Sequence, residues 1–573
     1  MADKEAVRLA ERIVRGAFGN LIGDVAHVLL NRGRLNLPEI CHYTKLKSRS
    51  AQGVLIALIQ HNLVWHSEVA QGEKFVEFFE FNLKECLLRL RWGRILALTE
   101  DEFGSDAMQI VRLILGRGKM RLPEIITAMG VEEMTEKGPR EARRLQISRL
   151  VLDLLSTSHI VPITAKLHQA PFDEMLQRRR AAEKDLGMAT QRAIATVRSQ
   201  VMEDIRQERR NEQDPETAIL RAQKKKSNGV TTESSDKKVK GGGYADQVDP
   251  AAHLRINYEK YDLKLRNKLV ESAVASRWNR PAGYVMKALL QATAESQTYM
   301  RQTLSAPVSV HGLLQSMTDN EKDSLALGFG AKTPAKKERM GELLAAYAAL
   351  LSGDDDGNIT KNDSVFLEKD ISTGRSSGNM YRVMFEQTCG TMKRQLLEQV
   401  VEQNWGPRAK RIVKVMLHGG KMGEQSISTT AMINLQDCRA LLGQMHESSF
   451  IEIQQIPRSA DRAANRTIFL YYVDLSHAYA SILSMLYKTL GNLAQRRQAE
   501  LDKHKDLLER ANRTDVLANR DLLSARDSLD LTTLEETMDK ITTAELKTEL
   551  NVFILRDLPG GPEAVRFDDP FSI

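Results

Sequence analysis

Along the first thirty residues the apolar positions recur at helical spacing. Val7, Ala10, Ile13, Val14, Ala17 and Phe18 form one stripe, and Leu21, Ile22, Val25, Val28 and Leu29 form a second. Two amphipathic helices are therefore expected before residue 33. The pattern then breaks at Arg32-Gly33, where glycine can supply the left-handed turn that closes a helix. A short extended piece follows, and leucine before proline is pushed out of helical geometry. Pro38 then opens a further helix, with Glu39 favoured by the dipole in its first turn.

This stretch occurs twice. Residues 29–40 read Leu-Leu-Asn-Arg-Gly-Arg-Leu-Asn-Leu-Pro-Glu-Ile, and residues 114–125 read Ile-Leu-Gly-Arg-Gly-Lys-Met-Arg-Leu-Pro-Glu-Ile. Seven of the twelve positions are identical, and Arg34/Lys119 and Leu35/Met120 exchange like for like or nearly so. In each copy a third helix and a hairpin are expected next, which together spell a winged helix-turn-helix. In the first copy the third helix holds Val54–Ile59, and the hairpin Leu63–His66 with Phe75–Phe81 turns at Gln71-Gly72. In the second copy, spanning Met108–Ile163, the third helix begins near Arg140 and buries Ile147, Leu150, Val151 and Leu154.

Two looser modules follow. In Leu254–Thr388, Pro281 opens a helix and Val308–Met317 supplies a strand and a second helix. Met340–Leu351 is its third helix, and Val365–Ile371 pairs with Met380–Phe385. In Gly406–Ser476, Pro407 opens the first helix and Leu435–Glu447 is the third. The strands Phe450–Ile456 and Thr467–Val473 flank a wing. Beyond it, Leu483, Leu486, Leu490 and Leu493 step by 3, 4 and 3, as in a coiled-coil seam. Thr532 and Glu535 have the spacing of a capping box, and Leu531, Leu534, Met538 and Ile541 repeat the 3, 4, 3 step. The expected fold class is mainly α with small β-hairpins: four tandem winged helix-turn-helix modules and a C-terminal coiled-coil helical hairpin. The boundaries read as 1–90 and 91–165 for the first two modules and 166–250 for a charged helix and Lys-rich linker. The remaining modules take 251–388 and 389–476, and the coiled coil and acidic tail take 477–573.

Charge sharpens this picture. Over the whole chain it is +7, yet residues 165–245 hold 17 Lys/Arg against 12 Asp/Glu, and residues 495–573 hold 12 against 17. That asymmetry points to a polyanion in one region and protein in another. The stretch between Lys224 and Gly243, with Lys224-Lys225-Lys226 and Lys237-Lys238, is too polar to build a core and reads as a linker. In winged modules the start of the third helix and the wing are the places that meet nucleic acid. The candidates there are Lys45, Lys47 and Arg49 in the first module and Arg140, Arg143 and Arg144 in the second. In the wing of the fourth they are Arg458, Arg462 and Arg466.

Candidate chemistry is sparse. The four cysteines never form Cys-x-x-Cys, and no histidine pairs with them at ligand spacing, so neither metal nor cofactor is expected. His61 and His159 fall near helix ends and read as caps. Gly328–Thr333 lacks the glycine that a phosphate loop needs before its lysine, and Ser352–Asp363 lacks the closing glutamate of a calcium loop. No apolar run is long enough to span a membrane. The chain does not read as an enzyme.

The repeated Arg-Gly-x-x-x-Leu-Pro-Glu-Ile, the lysine-rich linker, two further winged modules and the coiled coil resemble the third-largest, winged-helix subunit of RNA polymerase III. That subunit is related to the large subunit of transcription factor IIE. The likeness is carried best by Leu29–Ile40, Val54–Trp65, Pro250–Tyr261 and Arg408–Leu417. It implies a nuclear, non-catalytic subunit in a heterotrimer with two smaller polymerase III-specific subunits, seated on the clamp of the largest subunit. It further implies a role with the initiation factor TFIIIB on double-stranded and melted promoter DNA of small non-coding RNA genes such as tRNA and 5S rRNA. The alternative is a free-standing multi-winged-helix regulator, which would purify alone and bind a defined sequence.

Overall fold

The computed structural model describes residues 3–71, 74–131, 137–186, 191–212, 218, 248–328, 340–352, 366–370, 380–457, 467–518 and 523–560. The chain divides into two compact units, one built mainly from residues 6–261 and the other mainly from 262–568.

The first unit opens with α1 (Lys4–Phe18), α2 (Asn20–Arg32), β1 (Leu35–Asn36), α3 (Leu37–Thr44) and α4 (Ser48–Gln60). The wing is β2 (Val64–Gln71) and β3 (Lys74–Phe81), and the antiparallel sheet runs β1-β3-β2. Val25, Leu29, Ile40, Leu55, Leu58, Val64 and Phe79 fill the space between helices and sheet, with Ala10 and Val14 of α1 closing it. The Arg-Gly turn behaves as its sequence requires, since Gly33 takes φ 79° and its N–H reaches the Leu29 carbonyl. One detail differs from expectation. Leu37 is already helical, because Asn36 caps α3 by accepting the Glu39 N–H while the Glu39 carboxylate accepts the Asn36 N–H. This reciprocal cap outweighs the local bias of a residue before proline.

Next come α5 (Leu83–Leu88), a 3-10 turn at Arg89–Arg91, α6 (Trp92–Phe103), α7 (Ser105–Arg117), α8 (Leu122–Ala128) and α9 (Lys137–Ser156). Gly118 closes α7 at φ 84°, as Gly33 closes α2. Ile40 and Ile125 are fully buried at the matching position of the repeat, and Leu122 is buried while Leu37 is half-buried. The second copy has no local hairpin, however. After β4 (Ile160–Ile163) the chain enters a 3-10 turn and then α10 (Pro171–Leu186) and α11 (Gln191–Glu212). The strand that pairs with β4 is β5 (His253–Ile256), in register Ile160 with Ile256, and its Leu254 also bridges Met120. The second module thus extends past residue 165 to the far side of the linker. The charged segment itself folds back on Met175 and Ile205, held by Arg178–Glu208 and Arg209–Glu174.

The second unit takes most of α12 (Tyr258–Arg277), then α13 (Arg280–Ala292), β6 (Val308–Ser309), α14 (Val310–Ser316), α15 (Asp319–Gly328) and α16 (Met340–Ser352). With β7 (Leu367–Asp370) and β8 (Met380–Val383) these form a winged arrangement whose sheet runs β6-β8-β7. Phe385 does not end the strand but begins α17 (Phe385–Trp405). The next module is α18 (Pro407–Gly419), α19 (Glu424–Ala431), α20 (Leu435–Glu447), β9 (Glu452–Pro457) and β10 (Thr467–Tyr472). Last come α21 (Leu475–Lys503), α22 (Lys505–Ala511), α23 (Thr514–Ala518) and α24 (Ala525–Arg556). Arg497 pairs with Glu545 and Arg510 with Asp527, so α24 runs back along the helices before it. Leu483 and Leu490 of the seam are buried, and so is Leu534. The cap of α24 is not at Thr532. Ser524 accepts the Asp527 N–H there, and Thr532 lies inside the helix with its hydroxyl donating to the Leu529 carbonyl.

The linker lysines 224–226, 237, 238 and 240, and the wing arginines 458, 462 and 466, lie outside the described residues. So do most of the glycine-rich stretch at 328–333 and of the acidic stretch at 352–363. No described helix is long and apolar enough to cross a membrane.

Candidate nucleic-acid interface

In the first module α3 ends on Lys45, which adopts a left-handed φ of 57°. Two residues later Lys47 is the N-cap of α4 and Arg49 lies in its first turn. All three side chains are exposed, and none forms an ion pair with a described residue. The first turn of α4 has no acidic residue and no side-chain cap. Its unsatisfied N–H groups, the positive end of the dipole and three exposed cations therefore gather at one helix start, an arrangement an anion stabilises. The acidic residue nearest in sequence, Glu39, is occupied by the Asn36 N–H at 3.0 Å. Beside this turn Arg32 lies 4.1 Å over the half-exposed ring of Tyr43, a cation-aromatic pair that spacing alone did not flag.

The second module divides its cations differently. Arg143 is held by both carboxylate oxygens of Asp106 at 2.8 Å, so it fixes α9 to the start of α7. That leaves Arg140 and Arg144 as the exposed candidates of this helix. His159, read as a cap, is buried between the rings of Phe103 and Tyr261, while His61 does stand at the C-terminal end of α4.

The cations inside the repeated turn are both consumed within the unit. Arg34 pairs with the buried Asp173 of α10 at 2.9 Å, and Asp173 also accepts from the Ser67 hydroxyl. Lys119, at the matching position, is buried and donates to the Ile59 carbonyl at 2.7 Å. It also meets Nε2 of His168 at 2.8 Å. Burial, reinforced by Arg255, pushes Lys119 down to about 7. Burial and the Lys119 charge push His168 down to about 3, and burial with Arg89 takes His61 to about 4.

In the fourth module every described cation is engaged. Arg408 pairs with Asp437, Lys410 with Glu402, Lys414 with Glu398 and Arg439 with Glu424. Arg411 donates to the Ala431 carbonyl, and Lys421 sits 4.9 Å over the Tyr472 ring. Two of those carboxylates come from α17, the helix that precedes α18. Any excess positive charge rests on the wing, whose strands pair from Glu452–Tyr472 to Pro457–Thr467.

The only set of three grouped metal-ligand side chains among the described residues is Glu452, Asp474 and His477. All three are committed, since Glu452 binds His477 at 2.6 Å and Asp474 caps α21.

Three family models match the chain. They are the RNA polymerase III subunit RPC82 helix-turn-helix domain over residues 8–69, RNA polymerase III subunit RPC82 over 150–329, and POLR3C, C-terminal winged-helix domain, over 397–473. Whole-chain relatives agree. DNA-directed RNA polymerase III subunit rpc3 of Emericella nidulans is 24% identical, covering 92% of this chain and 95% of its own length. The subunit RPC3 of Mus musculus is 22% identical over 96% of this chain and 97% of its own. The subunit RPC3 of Danio rerio is also 22% identical, over 98% and 99%. Matches in both units, carried by winged modules from near the N-terminus to residue 473, place the chain in the RPC82/RPC3 family of RNA polymerase III subunits.

Proposed function

We propose that this chain is a non-catalytic subunit of RNA polymerase III that works in the nucleus, in promoter-specific initiation and DNA opening at small non-coding RNA genes. In this reading it forms a subcomplex with two smaller subunits, docks on the clamp of the largest subunit and acts with TFIIIB. Four winged modules and a helical hairpin supply the docking and DNA surfaces. The observation that supports DNA contact is the unpaired set Lys45, Lys47 and Arg49 at the start of α4, where helix dipole and side-chain charge add. The wing arginines 458, 462 and 466 are a second contact of the same kind, because arginine fits phosphate oxygens bidentately.

The test uses the assembled polymerase. Replacing Lys45, Lys47 and Arg49 with alanine should weaken promoter binding by a similar factor on all sequences. The slope of log affinity against log salt should fall by about 1 for each phosphate no longer neutralised. The triple alanine variant of the wing should act independently and in the same direction. Unchanged salt slopes in both variants, with normal initiation, would sink the DNA-contact reading while leaving subunit membership intact.

A further inference from the structure

Gly33 is flanked by two arginines, and the fold uses them differently. Both guanidinium groups lie over aromatic rings, Arg32 over Tyr43 at 4.1 Å and Arg34 over Phe78 at 4.3 Å. The N–H edge of Arg34 is filled, since it pairs with Asp173 at 2.9 Å and also donates to the Ser67 hydroxyl. Arg32 is exposed and forms no ion pair with a described residue. A ring engages only the face of a guanidinium, so the planar fork of N–H donors on Arg32 stays open while its position is held. That is the state in which arginine takes a phosphate through two parallel hydrogen bonds.

The ring itself is braced. Tyr43 stands on α3, two residues before Lys45, with 41% of its surface exposed, and the His42 ring meets it edge-on at 5.4 Å. The second copy of the repeat serves as an internal control. It keeps the arginine, with Arg117 in place of Arg32, and it keeps a left-handed residue after the helix, with Gly130 at φ 73° in place of Lys45. It has Ala128 in place of Tyr43, and Gly130, Glu132 and Met134 in place of Lys45, Lys47 and Arg49. The aromatic seat and the cations are present together in one copy and absent together from the other. Gly118 closes its helix after Arg117 without any such ring, so the ring serves the side chain of Arg32 and not the turn.

We propose that Arg32 is a further phosphate contact of the first module, and that Tyr43 is its positioning residue, holding the guanidinium so that its open edge meets the backbone of promoter DNA. The inference rests on reading the turn between α3 and α4 as a DNA contact. It adds to Lys45, Lys47 and Arg49 a cation from a different helix, α2.

Binding of the assembled polymerase to promoter DNA across a range of salt concentrations tests it. Arg32→Ala should lower the slope of log affinity against log salt by about 1, and by a similar amount on different sequences. Tyr43→Ala should move the slope in the same direction, while Tyr43→Phe should leave it at the wild-type value because the ring remains. Combined with Arg32→Ala, Tyr43→Ala should add nothing further. Both side chains are exposed, so the thermal midpoint and retention in the polymerase should not change. Arg32→Gln, which keeps most of the stem, gives the same reading should the alanine variant assemble poorly. An unaltered slope for Arg32→Ala, beside a lowered one for the Lys45, Lys47 and Arg49 alanine variant, would overturn this inference and spare the DNA-contact reading. Unaltered slopes in both would overturn the two together. A further loss from Tyr43→Ala on top of Arg32→Ala, or equal losses in Tyr43→Phe and Tyr43→Ala, would show the tyrosine acting on its own and overturn its positioning role.

Discussion

The two copies of the repeated turn share seven of twelve residues and the same helix-closing glycine, yet they are used against different surroundings. In copy one the turn stands in the open. A Cβ on Gly33 would meet nothing within 4 Å, and Arg34 reaches out to Asp173 with about a third of its side chain still in solvent. In copy two the turn is pressed against the end of α4. A Cβ on Gly118 would collide with the Gln60 carbonyl, and the Gln60 amide donates to the Arg117 and Lys119 carbonyls. The same local sequence thus makes a surface turn in one place and a module-to-module joint in the other. Local signals specify the turn's shape; only the neighbours decide what it does.

The comparison is broken most severely by adding one methyl group. Gly118→Ala should cost roughly 3 kcal/mol or more, combining left-handed strain with a backbone collision, while Gly33→Ala should cost about 1 kcal/mol from strain alone. Denaturant unfolding of the two variants checks the ranking, and equal losses would show that the joint yields easily. Next come the paired cations. Arg34→Met leaves the Asp173 carboxylate buried beside Glu80 without its counter-charge and should cost about 2 kcal/mol, less than a fully buried pair because Arg34 is partly solvated. Lys119→Met removes a charge that burial already disfavours, and should leave stability at pH 7 unchanged or raise it.

A dependence on pH also belongs to the joint. His61 and His168 are held well below their ordinary value of 6.5, so the unfolded chain binds more protons than the folded one between about pH 4 and 6.5. Stability of the first unit should therefore fall on acidification through that window, by up to roughly 3 kcal/mol per pH unit when both imidazoles contribute. Lys119 behaves alike at higher pH. With its folded value near 7 against 10.5, it should make stability rise between those limits, a rise that Lys119→Met removes. Unfolding midpoints from pH 4 to 10 on both proteins measure this, and parallel curves would dismiss Lys119 as the source.

What could be read in advance follows the same division. Helix ends were legible where a residue type enforces them: Gly33, Gly118, Pro407, and the whole of α20 from Leu435 to Glu447. Buried stripes at Ile147, Val151 and Leu154 were legible for the same reason. The β4–β5 pairing was not, because its two strands are far apart in sequence and no turn residue announces a non-local partner. Nor was the cap of α24, where Thr532 and Glu535 satisfy the local rule but Ser524 starts the helix earlier. The DNA candidates were legible as charge and not as availability. Among the described residues Lys45, Lys47 and Arg49 have no acidic partner, Arg143 is tied to Asp106, and the fourth module's cations are matched in part by Glu398 and Glu402 of α17.

The strand β5 has one more consequence, for how this chain could be cut and rejoined. Because β5 reaches the second module from beyond residue 212, the first unit is closed by two pieces of chain whose covalent connection is dispensable once they have met. Lengthening that connection should matter little, since closure entropy grows only logarithmically, about 0.6 kcal/mol per doubling. A chain nicked between 213 and 247 should stay one particle, with its halves laced by β4 and β5. A fragment that stops before His253 should instead leave the backbone groups of β4 and Met120 open, an adhesive edge for any strand that drifts past.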